Sequence, residues 1–285
     1  MQQTRISASS YSNTAPLIWS FLYGTNRGKF ELILDNAPAR SAELLATKRI
    51  DAALVPVIEY QRIDSVLLVP DVCVGAKEKV RSVCLVTKGK DLKDVKSVAL
   101  DISSKTSVAL TKIIFQEFYG FEPNYKEANP DLTEMLADAD CALLIGDPAL
   151  MISDSGFGIA DSEPKTKNQR PKTKDQFRKF DVVEIWREFT GFGFVFAMWM
   201  ANTEKAETVR EINFAAARDQ GLAHLDEIIS NYETEITLPR SDFQKYLSQN
   251  ISYSINDSMQ KGLELYFKLA HQHGLCTNRK DLTFI

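Results

Sequence analysis

Apolar and polar positions along this chain fall into blocks of two kinds. Short apolar runs bounded by turn-forming residues read as buried strands, and apolar residues recurring three or four positions apart read as helices. Ile6 and Ala8 sit in an opening strand. Leu17, Ile18, Phe21 and Leu22 then keep helical spacing, and Gly24 ends that helix. Residues 30–34 predict a strand, 37–45 a short helix with Pro38 near its first turn, and 51–56 a buried strand. A longer strand is predicted over 80–86, before the charged turn at 88–91. A fresh unit begins at Val95 with a strand ending Val98-Ala99-Leu100-Asp101. Its helix carries Leu110, Ile113, Ile114 and Phe118 on one face and closes at Gly120. The run 141–145 predicts a buried strand ending in Gly146-Asp147-Pro148, 182–185 another, and 194–201 a long one. From Lys205 onward the pattern is helical, with amphipathic segments over 208–229 and 256–273, the latter started by Asp257-Ser258-Met259.

Strand and helix thus alternate, which predicts α/β layers with mostly parallel sheets. The long strands at 80–86 and 194–201 bracket a self-contained α/β unit, as expected of a chain that crosses from one lobe to another and returns. One lobe would hold 1–86 plus 200–285 and the other 87–195, with a binding cleft between them. Residues 161–179 break the pattern, and 161–174 are almost devoid of apolar side chains. Their lysines read as a solvated insertion rather than an anion or nucleic-acid patch, because no aromatic side chains interleave with them.

Composition narrows the function. The 285 residues are 44% hydrophobic and 25% charged, as in a globular protein with a full core. A net charge of −4 and a pI near 5.6 argue against a nucleic-acid footprint. Cys73, Cys84, Cys141 and Cys276 are scattered, with no CxxC and no histidine spaced to complete a zinc site, so no metal is expected. They read as buried hydrophobes in a reducing compartment. The opening residues show no apolar h-region and no small-residue cleavage site, so no secretory signal is expected, and no stretch approaches the ~18 apolar residues of a membrane span. The expectation is a cytoplasmic monomer or homodimer without membrane or nucleic-acid partners.

The candidate chemistry lies in two polar loops, each leading from a strand into a helix. The first is Ser9-Ser10-Tyr11-Ser12-Asn13-Thr14 and the second Ser103-Ser104-Lys105-Thr106-Ser107. Such loops present unpaired backbone N–H groups and the positive end of a helix dipole, which suits a small carboxylate gripped from both sides. The bland alternative is helix capping, for which Ser, Thr and Asn are the usual residues. Each loop holds more hydroxyl and amide groups than a cap requires.

Together with Ile50-Asp51-Ala52-Ala53-Leu54-Val55-Pro56, Pro70-Asp71-Val72-Cys73, Val80-Arg81-Ser82-Val83, and the segment running from Ala142 through Gly146-Asp147-Pro148 to Leu150, these loops carry a resemblance. In register from about residue 5 to 200, the chain resembles the chorismate dehydratases of the futalosine route to menaquinone. That resemblance implies a two-lobed α/β fold of the periplasmic-binding-protein type II kind, with the substrate cleft between lobes. It implies a cofactor-independent lyase that removes water from chorismate, in keeping with the lack of a GxGxxG or P-loop. Two departures stand out: Ser12 replaces a usual large apolar residue, and Ala15 a usual lysine.

On this reading Ser104, Thr106 and Ser107 bind one carboxylate at a helix N-terminus, with Ser10, Tyr11 and Gly146 completing the substrate-binding set. Strand alternation sends Ser82 toward the cleft and Arg81 the other way, to grip a carboxylate or form a structural ion pair. Asn13 is the first choice for a chemical role, donating to the leaving hydroxyl or orienting the enolpyruvyl group, with helix capping as its alternative. Asp147 is either a general base or a helix cap, and Asp101 and Glu59 are further candidates. His224, His271 and His273 lie outside the motifs and read as surface residues. One of chorismate's own carboxylates is therefore an equal contender for the proton. Two rivals remain: a sister lyase forming dihydroxynaphthoate, disfavoured because 87–195 holds no histidine, and a non-catalytic solute-binding protein.

Overall fold

The computed structural model describes residues 3–35, 38–152 and 177–285. Among these residues, ten strands form two five-stranded sheets. The first sheet contains β1 (Arg5–Ser9), β2 (Glu31–Asp35), β3 (Ala52–Pro56), β4 (Val66–Ala76) and β10 (Phe194–Asn202), in the order β2-β1-β3-β10-β4. The second contains β5 (Val83–Thr87), β6 (Ser97–Asp101), β7 (Asn124–Ala128), β8 (Cys141–Ile145) and β9 (Arg178–Asp181), in the order β7-β6-β8-β5-β9. Around each sheet the helices pack as an α/β lobe.

The apolar runs are continuous because both faces of the inner strands are covered. In β5, Val83 and Leu85 enter the main core while Cys84 and Val86 enter a second, smaller cluster. Strand β8 divides in the same way, Cys141, Leu143 and Ile145 to one side and Ala142 and Leu144 to the other. This is strand alternation with no solvent face.

Neither sheet is mostly parallel. In the first, β1 pairs parallel with β2 and β3, but β10 runs antiparallel to β3 and β4. In the second, β6 pairs parallel with β7 and β8, but β5 runs antiparallel to β8 and β9. The strands that carry the chain between lobes enter against the direction of the others, which the local pattern does not reveal.

The predicted strand over 80–86 is two structures. Residues 77–82 form the crossing between sheets, with Arg81 at φ 64, and only Val83–Thr87 is strand. The chain therefore leaves the first sheet after Ala76 and β5 belongs to the second. The predicted strand over 182–185 is the start of the helix Val182–Thr190, which Asp181 caps by accepting from the backbone N–H of Val183 (2.9 Å) and Glu184 (3.3 Å). Asp181 also accepts from the N–H of Val80 (3.1 Å) and Arg81 (2.6 Å), so one buried carboxylate ties the outward crossing to the start of the return. Burial raises its pKa, and the N–H donors of Arg81, Val80 and Val183 work against that rise.

Of the insertion read over 161–179, Arg178 and Lys179 belong to β9, and 161–176 lie outside the described residues. The segment 208–229 is broken into the helices Ala206–Arg210, Phe214–Ala223 and Leu225–Tyr232. The helix Asp257–Gln272 is capped by Asn256, one residue before the predicted start. No helix among the described residues is long and apolar enough to cross a membrane.

Candidate active site

Between the lobes lies a cleft whose space, its open mouth included, measures about 610 Å³. Its walls are the C-terminal end of β1, the tips of β3 and β8, the two polar loops and the crossing at 80–83. Among the described residues that line it, none is charged. The polar contributors are Ser9, Tyr11, Asn13, Thr14, Ser82, Ser103, Ser104 and Ser107, and the apolar floor includes Leu54, Val55, Val74, Val80 and Phe196.

The first loop is folded by Thr14, whose hydroxyl donates to the carbonyls of Ser9 (2.6 Å) and Tyr11 (2.8 Å). The loop makes a 3-10 turn over Ser12–Thr14, and the helix Ala15–Leu22 begins with no side-chain cap. Asn13 is thus spared the capping role and lines the cavity. The Tyr11 ring lies over Gly146: a Cβ built there would sit 3.2 Å from the ring. Gly146 also has φ +63, so both backbone conformation and contact call for glycine. The Tyr11 phenol adjoins Ser103, and burial raises its pKa.

In the second loop, Ser104 caps the helix Lys105–Ile113, accepting from the Ser107 N–H (3.2 Å) while its hydroxyl meets that of Ser107 (2.8 Å). Both serines line the cavity at the positive end of that helix. Ser103, which the sequence reading quoted without a role, lines it too. Its N–H (2.9 Å) and its hydroxyl both donate to Asp101 Oδ1. Asp101 is fully buried, its Oδ2 has no hydrogen-bond partner, and burial raises its pKa.

Of the predicted site residues, Thr106, Ser10, Arg81 and Asp147 lie outside the cavity lining. Thr106 does not line the cavity: its hydroxyl accepts from the Ile58 N–H (3.3 Å) and its carbonyl from the Tyr266 phenol (3.1 Å), bonds that tie the two lobes. Ser10 lines a neighbouring groove beside the first helix, and its carbonyl accepts from Tyr232 (3.0 Å). Arg81 and Ser82 sit in the crossing, not in a strand, so alternation does not govern them. Ser82 is fully buried and lines the cavity, whereas Arg81 does not, and its Nε is buried without a hydrogen-bond partner.

Asp147 is neither a helix cap nor a cavity residue. It reaches across the lobes to Ser12, accepting from the Ser12 hydroxyl at Oδ1 and from its N–H (3.4 Å) at Oδ2. Burial raises its pKa, the Ser12 bonds oppose that, and Glu235 adds to it. Of the histidines, His224 is half-buried and stacked on Trp19 at 3.8 Å, while His273 meets Glu117 at 2.9 Å. The residues that sequence reasoning missed are the apolar floor, Ser9, Thr14 and Ser103. Attention to polar loops hid the floor, although the apolar run at 194–201 was its signal.

Residues 4–272 match the family described as menaquinone biosynthesis. A chorismate dehydratase of Thermus thermophilus is 30% identical over 263 residues, covering 90% of this chain and 91% of that protein. Among solved structures, a protein of Archaeoglobus fulgidus superposes with a TM-score of 0.72 at 14% identity, covering 96% of this chain and 98% of that one. The periplasmic aliphatic sulphonate binding protein SsuA of Escherichia coli superposes with a TM-score of 0.63 at 16% identity, covering 99% and 91%. At such identities the likeness shows the fold alone, a two-lobed periplasmic-binding-protein fold with its cleft between the lobes.

Proposed function

The chain belongs to the menaquinone-biosynthesis family, and we propose that its cleft removes water from chorismate to give 3-[(1-carboxyvinyl)oxy]benzoate, in the futalosine route. The observation that carries the mechanism is the uncharged lining of the cavity. Chorismate brings two carboxylates, and this lining meets them with hydroxyls, an amide and a helix N-terminus.

The ring hydrogen that is lost is acidic through conjugation with the ring carboxylate. As its C–H bond breaks, the electron pair spreads toward that carboxylate, where Ser104 and Ser107 at the start of the helix Lys105–Ile113 stabilise the added charge. The pair then returns to the ring, the neighbouring C–O bond breaks, and the ring becomes aromatic. Asn13 donates to the departing hydroxyl, which leaves with the proton as water. Tyr11, held over Gly146, walls the ring, and the floor of Val80, Leu54 and Phe196 keeps bulk water out.

The proton goes first to the substrate's enolpyruvyl carboxylate. Asp147 is engaged by Ser12, and Asp101 sits behind Ser103. The elimination is redox neutral and draws on no electron acceptor, which supports a cofactor-independent lyase. Cys73, Cys141 and Cys276, buried as small apolar side chains outside any disulfide, support a reducing, cytoplasmic setting.

Incubation of the purified protein with chorismate, followed by ultraviolet absorbance and mass spectrometry, tests this reading. The expected result is an aromatic product lighter than chorismate by one water. Unchanged chorismate under conditions where it binds would leave a solute-binding protein as the better description.

A further inference from the structure

Tyr246 begins a short π-helical turn, Tyr246–Asn250, and is fully buried, with Phe243 stacked on its ring at 6.2 Å. Its phenol oxygen has no hydrogen-bond partner. The side chains of Ser82 and Asn13 adjoin it without completing a hydrogen bond, Arg81 and Asp147 act on it through their charge, and the buried phenol of Tyr253 is near enough to interact with it. A native fold seldom buries a strong donor with no acceptor, and a donor left so beside a cavity is a candidate for a functional role. Here the two adjoining groups, Asn13 and Ser82, both line the cavity.

We propose that Tyr246 is a positioning residue: when chorismate fills the cleft, its phenol donates to Asn13 Oδ1 and so turns the Asn13 Nδ2 donors toward the departing hydroxyl. An amide has one accepting and one donating end, and a fixed donor behind the oxygen decides which end faces the ligand. Ser82 completes the group by accepting or donating at the same phenol. Burial pushes the Tyr246 pKa up, so the phenol keeps its proton throughout the working pH range. This inference rests on the dehydratase reading above, and its test separates the two.

The variant Tyr246→Phe removes only the hydroxyl. The expected result is a Tm equal to or above that of the parent, a KM within about twofold, and a kcat lower by about tenfold or more. In an Asn13→Ala background the same change should cost less than about twofold, because the two side chains act as one unit. Tyr253→Phe removes a second buried, unpartnered phenol that does not adjoin Asn13, and should leave kcat at the parental value. Parental kcat in Tyr246→Phe, an equal loss in Tyr253→Phe, or a lowered Tm in Tyr246→Phe would each overturn the assignment. A parent protein that fails to turn over chorismate would overturn the dehydratase reading itself, and this inference with it.

Discussion

Of the described residues that line the cleft, Asn13 is the only side-chain amide, and it lies within a turn that Thr14 holds together. The neighbouring serines can stabilise a carboxylate, but the amide offers two strong donors at one point, suited to a leaving hydroxyl. Asn13→Ala should therefore keep the parental Tm and lower kcat by about two orders of magnitude, the usual cost of losing a transition-state hydrogen bond (~3 kcal/mol). Steady-state kinetics with chorismate check this, and near-parental turnover would remove Asn13 from the chemistry. Asn13 stood out in the sequence because its cluster is too polar for a cap alone, and its side chain does line the cavity. Thr106 and Ser10 stood in the same kind of cluster, yet their bonds run to Ile58, Tyr266 and Tyr232. Composition shows where a polar loop is, but not which hydroxyls turn inward and which bridge to distant chain.

At the scale of the element, the start of the helix Lys105–Ile113 matters most. Ser104 satisfies the Ser107 N–H and holds the Ser107 hydroxyl, so one side chain caps the helix and aims its neighbour at the cavity. Ser104→Ala should cost about 1 kcal/mol of stability, which in a chain of this size lowers Tm by about 2–4 °C. It should also raise the KM for chorismate several-fold, as loosened carboxylate binding requires. Calorimetry and kinetics on the same preparation check both effects, and an unchanged KM would move the carboxylate away from this helix. Elements of this sort were readable where local and tertiary preferences agree: 141–145 is strand β8 residue for residue. They misread where one distant bond decides. Val182-Val183 is β-branched and apolar, yet Asp181 turns it into a helix start. Val80 precedes a strand, but the same carboxylate, a hundred residues along the chain, folds it into a turn with Arg81 at positive φ.

For the whole molecule, the alternating pattern was enough to show two lobes and a cleft. How they are held together was hidden, because each tie joins residues far apart in sequence. One of these ties can be tested through pH. Asp147 bridges to Ser12 across the lobes, and burial raises its pKa above the ordinary value of 3.8. A carboxyl whose pKa is higher in the folded chain than in the unfolded one binds more protons when folded. Its stabilising contribution is thus complete below pH 3.8 and is lost as the pH rises through the folded value. Asp147→Asn keeps an oxygen to accept the Ser12 hydroxyl but carries no charge to bury. The variant should therefore melt above the parent at neutral pH, and the gap should close as the pH falls toward 3.8 and below, where the parent's carboxyl is itself neutral. Because Asp147 does not line the cavity, kcat should stay within a few-fold of the parent. Melting curves of both proteins from pH 3 to 7, with chorismate turnover at neutral pH, decide the matter. A variant that binds chorismate and melts as expected, yet has lost turnover, would restore Asp147 as the base and end the assignment of that role to the substrate's own carboxylate.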